Sequence, residues 1–210
     1  MTTASEGVLE QVASEVRVCQ KCPLAKGRLK AVPGDGPSDA KVLLIGEAPG
    51  YHENQQGRPF VGAAGQFLEE LLAAAGLTRA ACFVTNVVKC RPPGNRDPQP
   101  EEIEACSDYL NRQIAALKPR VVVTLGRYSL GRFLPGQPIS RVHGLPRRVG
   151  SVTVFPMYHP AAALHQPTLR KTLLDDMAKL PGVLAQAERE QAAPATPEPP
   201  PAPPKQLSLF

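Results

Sequence analysis

Short apolar runs alternate with segments of helical spacing along most of the chain. The apolar runs cover residues 42–45, 82–88, 120–125 and 151–157. Continuous runs of this length are typical of parallel strands that are covered on both faces. Helical spacing is found near residues 6–18, 62–75, 97–117, 126–133 and 167–180. The pattern predicts an α/β fold, a three-layer α/β/α sandwich with a central four-stranded parallel sheet, in which residues 135–146 form a loop.

The composition changes towards the C-terminus. Residues 1–185 are expected to form one globular domain, followed by a disordered linker rich in proline and alanine at residues 186–204. Residues 194–204 include seven prolines, which favour a stiff, extended spacer. The chain then ends in an apolar peptide, residues 205–210, and an apolar anchor on a spacer usually contacts a partner. A frayed terminus is the alternative interpretation.

The chain carries no sequence signal for a membrane or for export. No apolar run approaches the roughly 20 residues that a helix needs to cross a bilayer. The N-terminal residues MTTASEGVLEQ lack the basic and apolar regions of a secretory signal. We therefore expect a cytoplasmic protein.

The distribution of charge is more informative than the net charge of +5. Between Tyr109 and Leu174 there is no acidic residue, but there are ten basic ones. A long stretch of one sign in a folded domain attracts polyanions, so nucleic acid is the favoured partner. A solvated basic surface with no partner is the alternative.

Four of the five cysteines form two groups, Cys19 with Cys22 and Cys90 with Cys106. A cytoplasmic location argues against a disulfide scaffold, whereas the CxxC spacing lets two sulfurs face one point. The spacing leaves zinc, an iron–sulfur cluster and a redox pair open. Cys82 lies in an apolar run and is interpreted as a buried core thiol.

Polar residues follow the predicted strands at three places. Glu47 and Glu53 lie in a glycine-rich loop after the first strand, Asn86 ends the second strand, and His159 follows the fourth. Open α/β sheets bind their ligands outside the carboxyl ends of the strands, so these side chains are expected to meet at one edge. An ordinary connection with solvated acids is the alternative for the first loop.

Four motifs occur in order along the domain. They are GEAPG at residues 46–50, GRPFVGAAGQ at 57–66, TNVVKCRPPGNR at 85–96 and YHPAAAL at 158–164. Together with the four cysteines, they resemble the family 4 uracil-DNA glycosylases, which carry an iron–sulfur cluster. The resemblance implies a [4Fe–4S] cluster on Cys19, Cys22, Cys90 and Cys106, with a structural role. It also implies hydrolysis of the N-glycosidic bond of uracil in DNA, which leaves an abasic site.

The resemblance implies a role for each residue of the site. Asn86 would read the Watson–Crick edge of a flipped uracil, and His159 would donate a hydrogen bond to uracil O2. Glu47 and Glu53 would position water or stabilise the sugar cation. Phe60 would stack on the base. Further contacts to the substrate would come from Gly46, Ala48 and Gly50.

Two positions depart from the best-known uracil glycosylases. Ala48 stands where those enzymes have an aspartate, so the residue that activates water stays open. Gly50 replaces the tyrosine that excludes the methyl group of thymine, and Tyr51 beside it is a candidate for that role.

The resemblance also places the DNA and the partner. Leu164 would wedge into the space left by the flipped base, with Arg170 and Lys171 near phosphates. The terminal QLSLF resembles the peptide that docks bacterial repair proteins on the sliding clamp, which suggests a bacterial source. Its contact residues would be Gln206, Leu207, Leu209 and Phe210. We expect a monomer that associates with the nucleoid when it acts on DNA.

Two other classes of function compete with catalysis. One is a non-catalytic or covalently trapping uracil-DNA binder of the same fold, and the other is an iron–sulfur electron-transfer protein. A trapping relative would carry a basic insertion with a nucleophilic histidine near residues 56–58, and this chain passes directly into GRPF. Turnover is therefore favoured.

Overall fold

The structure is a computed structural model that describes residues 3–192. Its strands are β1 (Val42–Gly46), β2 (Cys82–Asn86), β3 (Val121–Leu125), β4 (Arg147–Val149) and β5 (Val152–Met157). The longer helices are α1 (Ala4–Val18), α4 (Ala63–Ala74), α5 (Pro100–Leu117), α9 (Leu169–Met177) and α10 (Leu180–Ala192). The shorter helices are α2 (Leu24–Gly27), α3 (Tyr51–Gln56), α6 (Arg127–Gly131), α7 (Ile139–Val142) and α8 (Pro160–His165).

The five strands form one sheet in the order β2-β1-β3-β5-β4. The strands β2, β1, β3 and β5 are parallel, as the apolar runs predict. The prediction of four strands misses β4, which pairs antiparallel with β5 at the edge of the sheet. Two of its three residues are exposed arginines, so the segment has no apolar run to reveal it.

Two apolar clusters fill the spaces on either side of the sheet. Leu44 belongs to one cluster, with residues of α4, α9 and α10, while its neighbours Leu43 and Ile45 belong to the other, with residues of α1 and α5. Successive side chains of a strand point to opposite faces, so one strand supplies both layers. The three-layer α/β/α sandwich is thereby confirmed.

The helices differ from prediction in several places, since the short helices α2, α3 and α8 lie in segments for which no helix was predicted. The segment 135–146 contains the short helix α7 rather than loop alone. The last helical region is two helices, and α10 continues to Ala192, into the segment assigned to the linker from residue 186. The reason is that Leu180, Val183 and Ala187 recur at helical spacing and are buried. The remaining linker and the peptide 205–210 lie outside the described residues.

The register of the sheet brings the ends of the strands together. Gly46 pairs with Asn86 at the end of β1 and β2, and Leu125 pairs with Met157 at the end of β3 and β5. The residues that follow these strands therefore share one edge. No helix within residues 3–192 is long and apolar enough to cross a membrane.

Candidate active site

A cavity of about 580 Å³ opens at the carboxyl edge of the sheet. The predicted residues that line it are Glu47, Ala48, Gly50, Glu53, Phe60, Asn86 and His159. Its other walls include residues to which the sequence analysis assigned no role: Pro92, Asn95 and Tyr158 within two of the motifs, and Asp97, Arg127 and Ile139 outside them. Arg127 could have been predicted from the sequence, because it follows β3 closely, as His159 follows β5. Asp97 lies in an irregular loop that does not directly follow a strand, so its position gives no indication of the site.

Asn86 presents a buried, unpaired acceptor in this cavity. The residue is 2% exposed, and its Oδ1 has no hydrogen-bond partner. An unpaired buried oxygen is costly, so it indicates a partner that binds from outside the chain. A Cβ added at Gly46 would lie 2.3 Å from this oxygen and 2.7 Å from Cζ of Phe60. Glycine at position 46 therefore allows the amide and the aromatic ring to converge.

Phe60 is held with a backbone angle that L-residues rarely adopt, φ 53°. The carbonyl oxygens of Pro59 and Phe60 accept hydrogen bonds from the Arg79 guanidinium. Helix α4 approaches so closely that a Cβ at Gly65 would lie 2.0 Å from the Phe60 oxygen. The strain of such a residue, about 1–3 kcal/mol, is therefore offset by contacts that fix the ring in the cavity wall.

His159 is a neutral hydrogen-bond donor towards the cavity. It is the N-cap of α8, where its Nδ1 accepts a hydrogen bond from the Ala161 N–H at 3.1 Å. Burial lowers the pKa of the imidazole to about 4, although the Glu53 carboxylate opposes this shift. A neutral imidazole has one donor and one acceptor nitrogen, so the proton resides on Nε2.

The two carboxylates of the first loop have different environments. Glu53 accepts hydrogen bonds from three backbone N–H groups, those of Val61 and Gly62 at 2.8 and 2.9 Å and that of Gly50 at 3.1 Å. It thereby ties the start of α3 to the segment that follows Phe60. A Cβ at Gly50 would lie 2.7 Å from its Oε2, which explains the glycine at that position.

Glu47 is only half-buried and lines the cavity. Burial raises the pKa of its carboxyl group, and the nearby Asp97 carboxylate raises it further. Arg127, which forms an ion pair with Asp97, acts in the opposite direction. A carboxylate of raised pKa beside a cavity has the properties of a general base.

Four thiols converge in the apolar cluster between α1, α5 and the sheet. Cys90 and Cys106 are buried, and Cys19 and Cys22 pack against that cluster. Cys82 belongs to the cluster on the other face of the sheet, which confirms the prediction of a core thiol. Burial raises the pKa of Cys106 to about 11 and also raises that of Cys90, and binding of a metal would require both thiols to lose their protons.

Hydrogen-bond donors surround these sulfurs. The Arg28 guanidinium lies 3.4 Å from Cys90 Sγ, the Lys89 N–H 3.4 Å from Cys106 Sγ, and the Lys21 N–H 3.4 Å from Cys19 Sγ. Within residues 3–192, no three potential ligands lie close enough to share a single metal ion. Cysteine thiolates that bind different irons of one cluster are more widely spaced than the ligands of one ion. Four cysteine sulfurs with N–H donors around them are a donor set that an iron–sulfur cluster can use.

The predicted DNA-contacting residues lie on the surface of α8 and α9. Leu164 is 47% exposed on α8, the helix that supplies His165 to the cavity wall. Arg170 forms an ion pair with Glu70 and lies over the Phe67 ring, and Lys171 pairs with Asp175 at 2.6 Å. Exposed ion pairs of this kind contribute little to folding stability.

The family model described as the uracil DNA glycosylase superfamily matches residues 33–179, which include every residue that lines the cavity. A type-4 uracil-DNA glycosylase of Saccharolobus solfataricus is 46% identical over 84% of this chain and 87% of its own. The enzyme of the same name in Sulfurisphaera tokodaii is 47% identical over 82% of this chain and 83% of its own. In Thermotoga maritima the corresponding values are 41%, 83% and 93%.

Proposed function

Because the chain belongs to the uracil DNA glycosylase superfamily, we propose that it excises uracil from DNA by hydrolysing the N-glycosidic bond, leaving an abasic site. The family identified from the four motifs is thereby confirmed, and the alternative of a non-catalytic or trapping binder is not favoured. The observation that carries the proposal is the buried, unpaired Oδ1 of Asn86 in the wall of the cavity.

Asn86 accounts for the choice of base. The Asn86 Oδ1 would accept a hydrogen bond from the N3–H of a flipped uracil, and the side-chain N–H of Asn86 would donate one to uracil O4. Cytosine offers an acceptor at N3 and an amino group at position 4, so both hydrogen bonds would be replaced by unfavourable contacts. A site built around buried polar groups rejects such a base because those groups stay unpaired.

His159 and Glu47 account for the bond cleavage. Negative charge develops on the departing uracil, and the neutral His159 imidazole would donate its Nε2–H to O2 as that charge grows. The sugar becomes cationic, and Glu47 would stabilise it and orient the attacking water. We assign Glu53 a positioning role, because its oxygens are engaged by the backbone of the same loop. Phe60 would stack on the flipped base.

We further propose that Cys19, Cys22, Cys90 and Cys106 hold a [4Fe–4S] cluster. When bound, the cluster supplies a covalent link between the segment after α1, the loop after β2 and helix α5. The residues of this chain contribute the thiolates and the surrounding N–H donors. The proposed reaction is a hydrolysis, which transfers no electrons, so we propose a structural role for the cluster.

The remaining proposals concern DNA and partners. Leu164 would fill the space left by the flipped uracil, with Arg170 and Lys171 on nearby phosphates, and the enzyme would act as a monomer on nucleoid DNA. The terminal QLSLF would dock on a bacterial sliding clamp, with the proline-rich segment as a tether that raises the local concentration of enzyme. Deletion of residues 205–210 should then abolish clamp binding without changing excision from free oligonucleotides.

The function is tested with protein purified anaerobically and an oligonucleotide that contains one uracil. Alkali cleaves abasic sites, so multiple turnover appears as strand scission at uracil and not at thymine in a matched strand. Asn86→Ala should lower the excision rate by about 10²–10³-fold, the effect typical of removing one hydrogen-bonding group from an active site. Asn111→Ala, at an exposed asparagine that accepts from Arg132, is the matched control and should retain activity. Tight binding without abasic product would contradict catalysis.

A further inference from the structure

Lys89 lies behind the uracil-reading residue and has no place in the reaction described above. It is 1% exposed, and within residues 3–192 it is the only lysine or arginine that is fully buried. Burying an ammonium group is costly unless hydrogen bonds replace its water. Burial of Lys89 therefore requires hydrogen-bond acceptors within the protein.

The ammonium group donates to three oxygens. They are Thr85 Oγ1 at 2.6 Å, the backbone oxygen of Asn86 at 2.8 Å and Gln113 Oε1 at 2.7 Å. Gln113 in turn donates to the Pro33 oxygen at 2.7 Å. The network thus joins the end of β2 to helix α5 and to the segment that precedes β1.

The backbone of Lys89 extends the same network to the cysteines. Its N–H lies 3.4 Å from Cys106 Sγ, and its carbonyl oxygen accepts from the Val32 N–H at 2.7 Å. Asn86 is the last residue of β2, and beyond it the N–H groups of Val87 and Val88 donate to the oxygens of Gly46 and Glu47 at 3.0 and 3.1 Å. The hydrogen bond from the Lys89 side chain adds a restraint at the carbonyl oxygen of Asn86 itself.

We propose that Lys89 is a positioning residue that fixes the Asn86 amide for uracil and connects it to the thiol cluster. The inference rests on the proposed function, since it assigns Asn86 to the base. Recognition groups must be held within about 0.5 Å of their productive geometry, and buried hydrogen-bond networks provide such support. Lys89 acts through Asn86 and does not touch the substrate.

A double-mutant cycle tests this inference. Lys89→Met removes the ammonium donors but keeps the length of the side chain. Its effect is measured in two backgrounds, the wild-type protein and the Asn86→Ala variant. The readout is the Kd for DNA that contains 2′-fluoro-2′-deoxyuridine, a uracil nucleotide whose glycosidic bond resists cleavage, together with kcat/KM on uracil DNA. Iron content is measured for each variant. Cys82→Ala, at the other end of β2, is the matched control for loss of core packing.

The expected result is non-additive. Lys89→Met should weaken binding about tenfold when Asn86 is present and less than about twofold when Asn86 is alanine, as for residues of one network. Cys82→Ala should weaken binding equally in both backgrounds, if at all. Equal losses for Lys89→Met in both backgrounds, or no loss with Asn86 present, would overturn the inference.

A milder substitution covers the case in which Lys89→Met does not fold or lacks iron. Thr85→Val removes one of the three acceptors of the ammonium group and keeps the shape of the side chain. It replaces Lys89→Met in the same double-mutant cycle, and the same outcomes support or overturn the inference. Wild-type protein that neither binds nor cleaves uracil DNA would overturn the proposed function and this inference together. Excision by the wild type with additive losses would overturn the inference alone.

Discussion

The rings of Phe60 and His159 stack on each other, with centroids 5.6 Å apart and planes inclined by 27°. The side chain proposed to stack on uracil thus also supports the side chain proposed to stabilise the leaving group. The backbone of Phe60 is fixed by Arg79 and by the close approach of α4. The pair is consequently part of the rigid wall of the cavity before any base enters.

Substitution of Phe60 tests its contact with the base. Phe60→Leu keeps an apolar side chain but removes the aromatic face, and base–aromatic stacking contributes about 1–3 kcal/mol per base. Affinity for DNA with 2′-fluoro-2′-deoxyuridine should fall accordingly, measured by fluorescence anisotropy. Phe133→Leu, at a partly buried phenylalanine on the opposite face of the sheet, should bind normally. Equal affinity of both variants would contradict the stacking role.

The protonation of His159 predicts the response to pH. Its pKa is lowered from 6.5 to about 4, so the neutral donor persists while the pH falls and is lost only near pH 4. The excision rate should therefore show no inflection near pH 6.5 that depends on His159. An NMR titration with labelled histidine measures the pKa directly, and His159→Gln identifies the resonance. A midpoint near 6.5 would contradict the neutral-donor assignment.

The same shift affects stability, with a definite sign. The unfolded chain binds a proton at His159 near pH 6.5, whereas the folded chain does so only near about 4. Stabilisation from this residue is therefore complete above pH 6.5 and declines as the pH falls towards 4. His165→Gln, in the same helix, is the control that should keep this dependence, and His159→Gln should lose it.

Glu47 and Glu53 should differ in what their substitution changes. Glu47→Gln should lower kcat by about 10²–10⁴-fold with little change in KM, the range for a positioned acid or base. Because the pKa of Glu47 is raised, wild-type activity should fall with decreasing pH at a value above the ordinary 4.5. Single-turnover rates across pH 4–8 would measure both effects.

For Glu53→Gln we expect instead a loss of folding stability of about 1–3 kcal/mol, since buried N–H groups lose acceptors. Glu104→Gln, at an exposed glutamate on α5, is the control for both substitutions and should leave rate and stability unchanged. A large loss of kcat at Glu53 with unchanged stability would reverse the assignment of the two residues.

The cysteines predict the iron content. Protein purified without oxygen should contain about four irons and acid-labile sulfide, as expected of a [4Fe–4S] cluster. Cys106→Ala should lose most of the iron and the visible absorption band, whereas Cys82→Ala should retain both, because Cys82 lies on the other face of the sheet. Stoichiometric zinc without sulfide would show that the site holds a different metal.

Leu164 predicts a difference between duplex and single strand. A wedge is needed only where a stacked, paired base must be replaced, so Leu164→Ala should slow excision from duplex DNA about tenfold and from single-stranded DNA far less. Leu145→Ala, at another exposed leucine, should affect neither substrate. Equal slowing of both substrates would place Leu164 in a different role.

The sequence was informative wherever a signal is local. Asn86 and His159 were predicted because each directly follows an apolar run, and the sheet then brings them to one edge. The different roles of Glu47 and Glu53 cannot be predicted from local sequence. They depend on how residues 61–62 fold back onto α3, where their N–H groups donate to Glu53. No pattern distinguishes two acids in one polar loop by their later partners.

Lys89 shows the same limit more clearly. A lysine in a loop after a strand is ordinarily exposed, and its burial arises from Gln113, which is 24 residues further along the chain. The edge strand β4 was missed for a related reason, because its exposed arginines carry no apolar periodicity. Long-range hydrogen bonding and edge pairing are determined by the assembled fold.

The capping of α8 by His159 has a consequence for the order of events on DNA. The Nδ1 of His159 accepts a hydrogen bond from the first turn of the helix that carries Leu164, so the orientation of the imidazole is coupled to that of the helix. On the proposed function, entry of the leucine into the duplex and approach of the imidazole to the base would be one movement. Departure from the abasic site would then require both side chains to withdraw together.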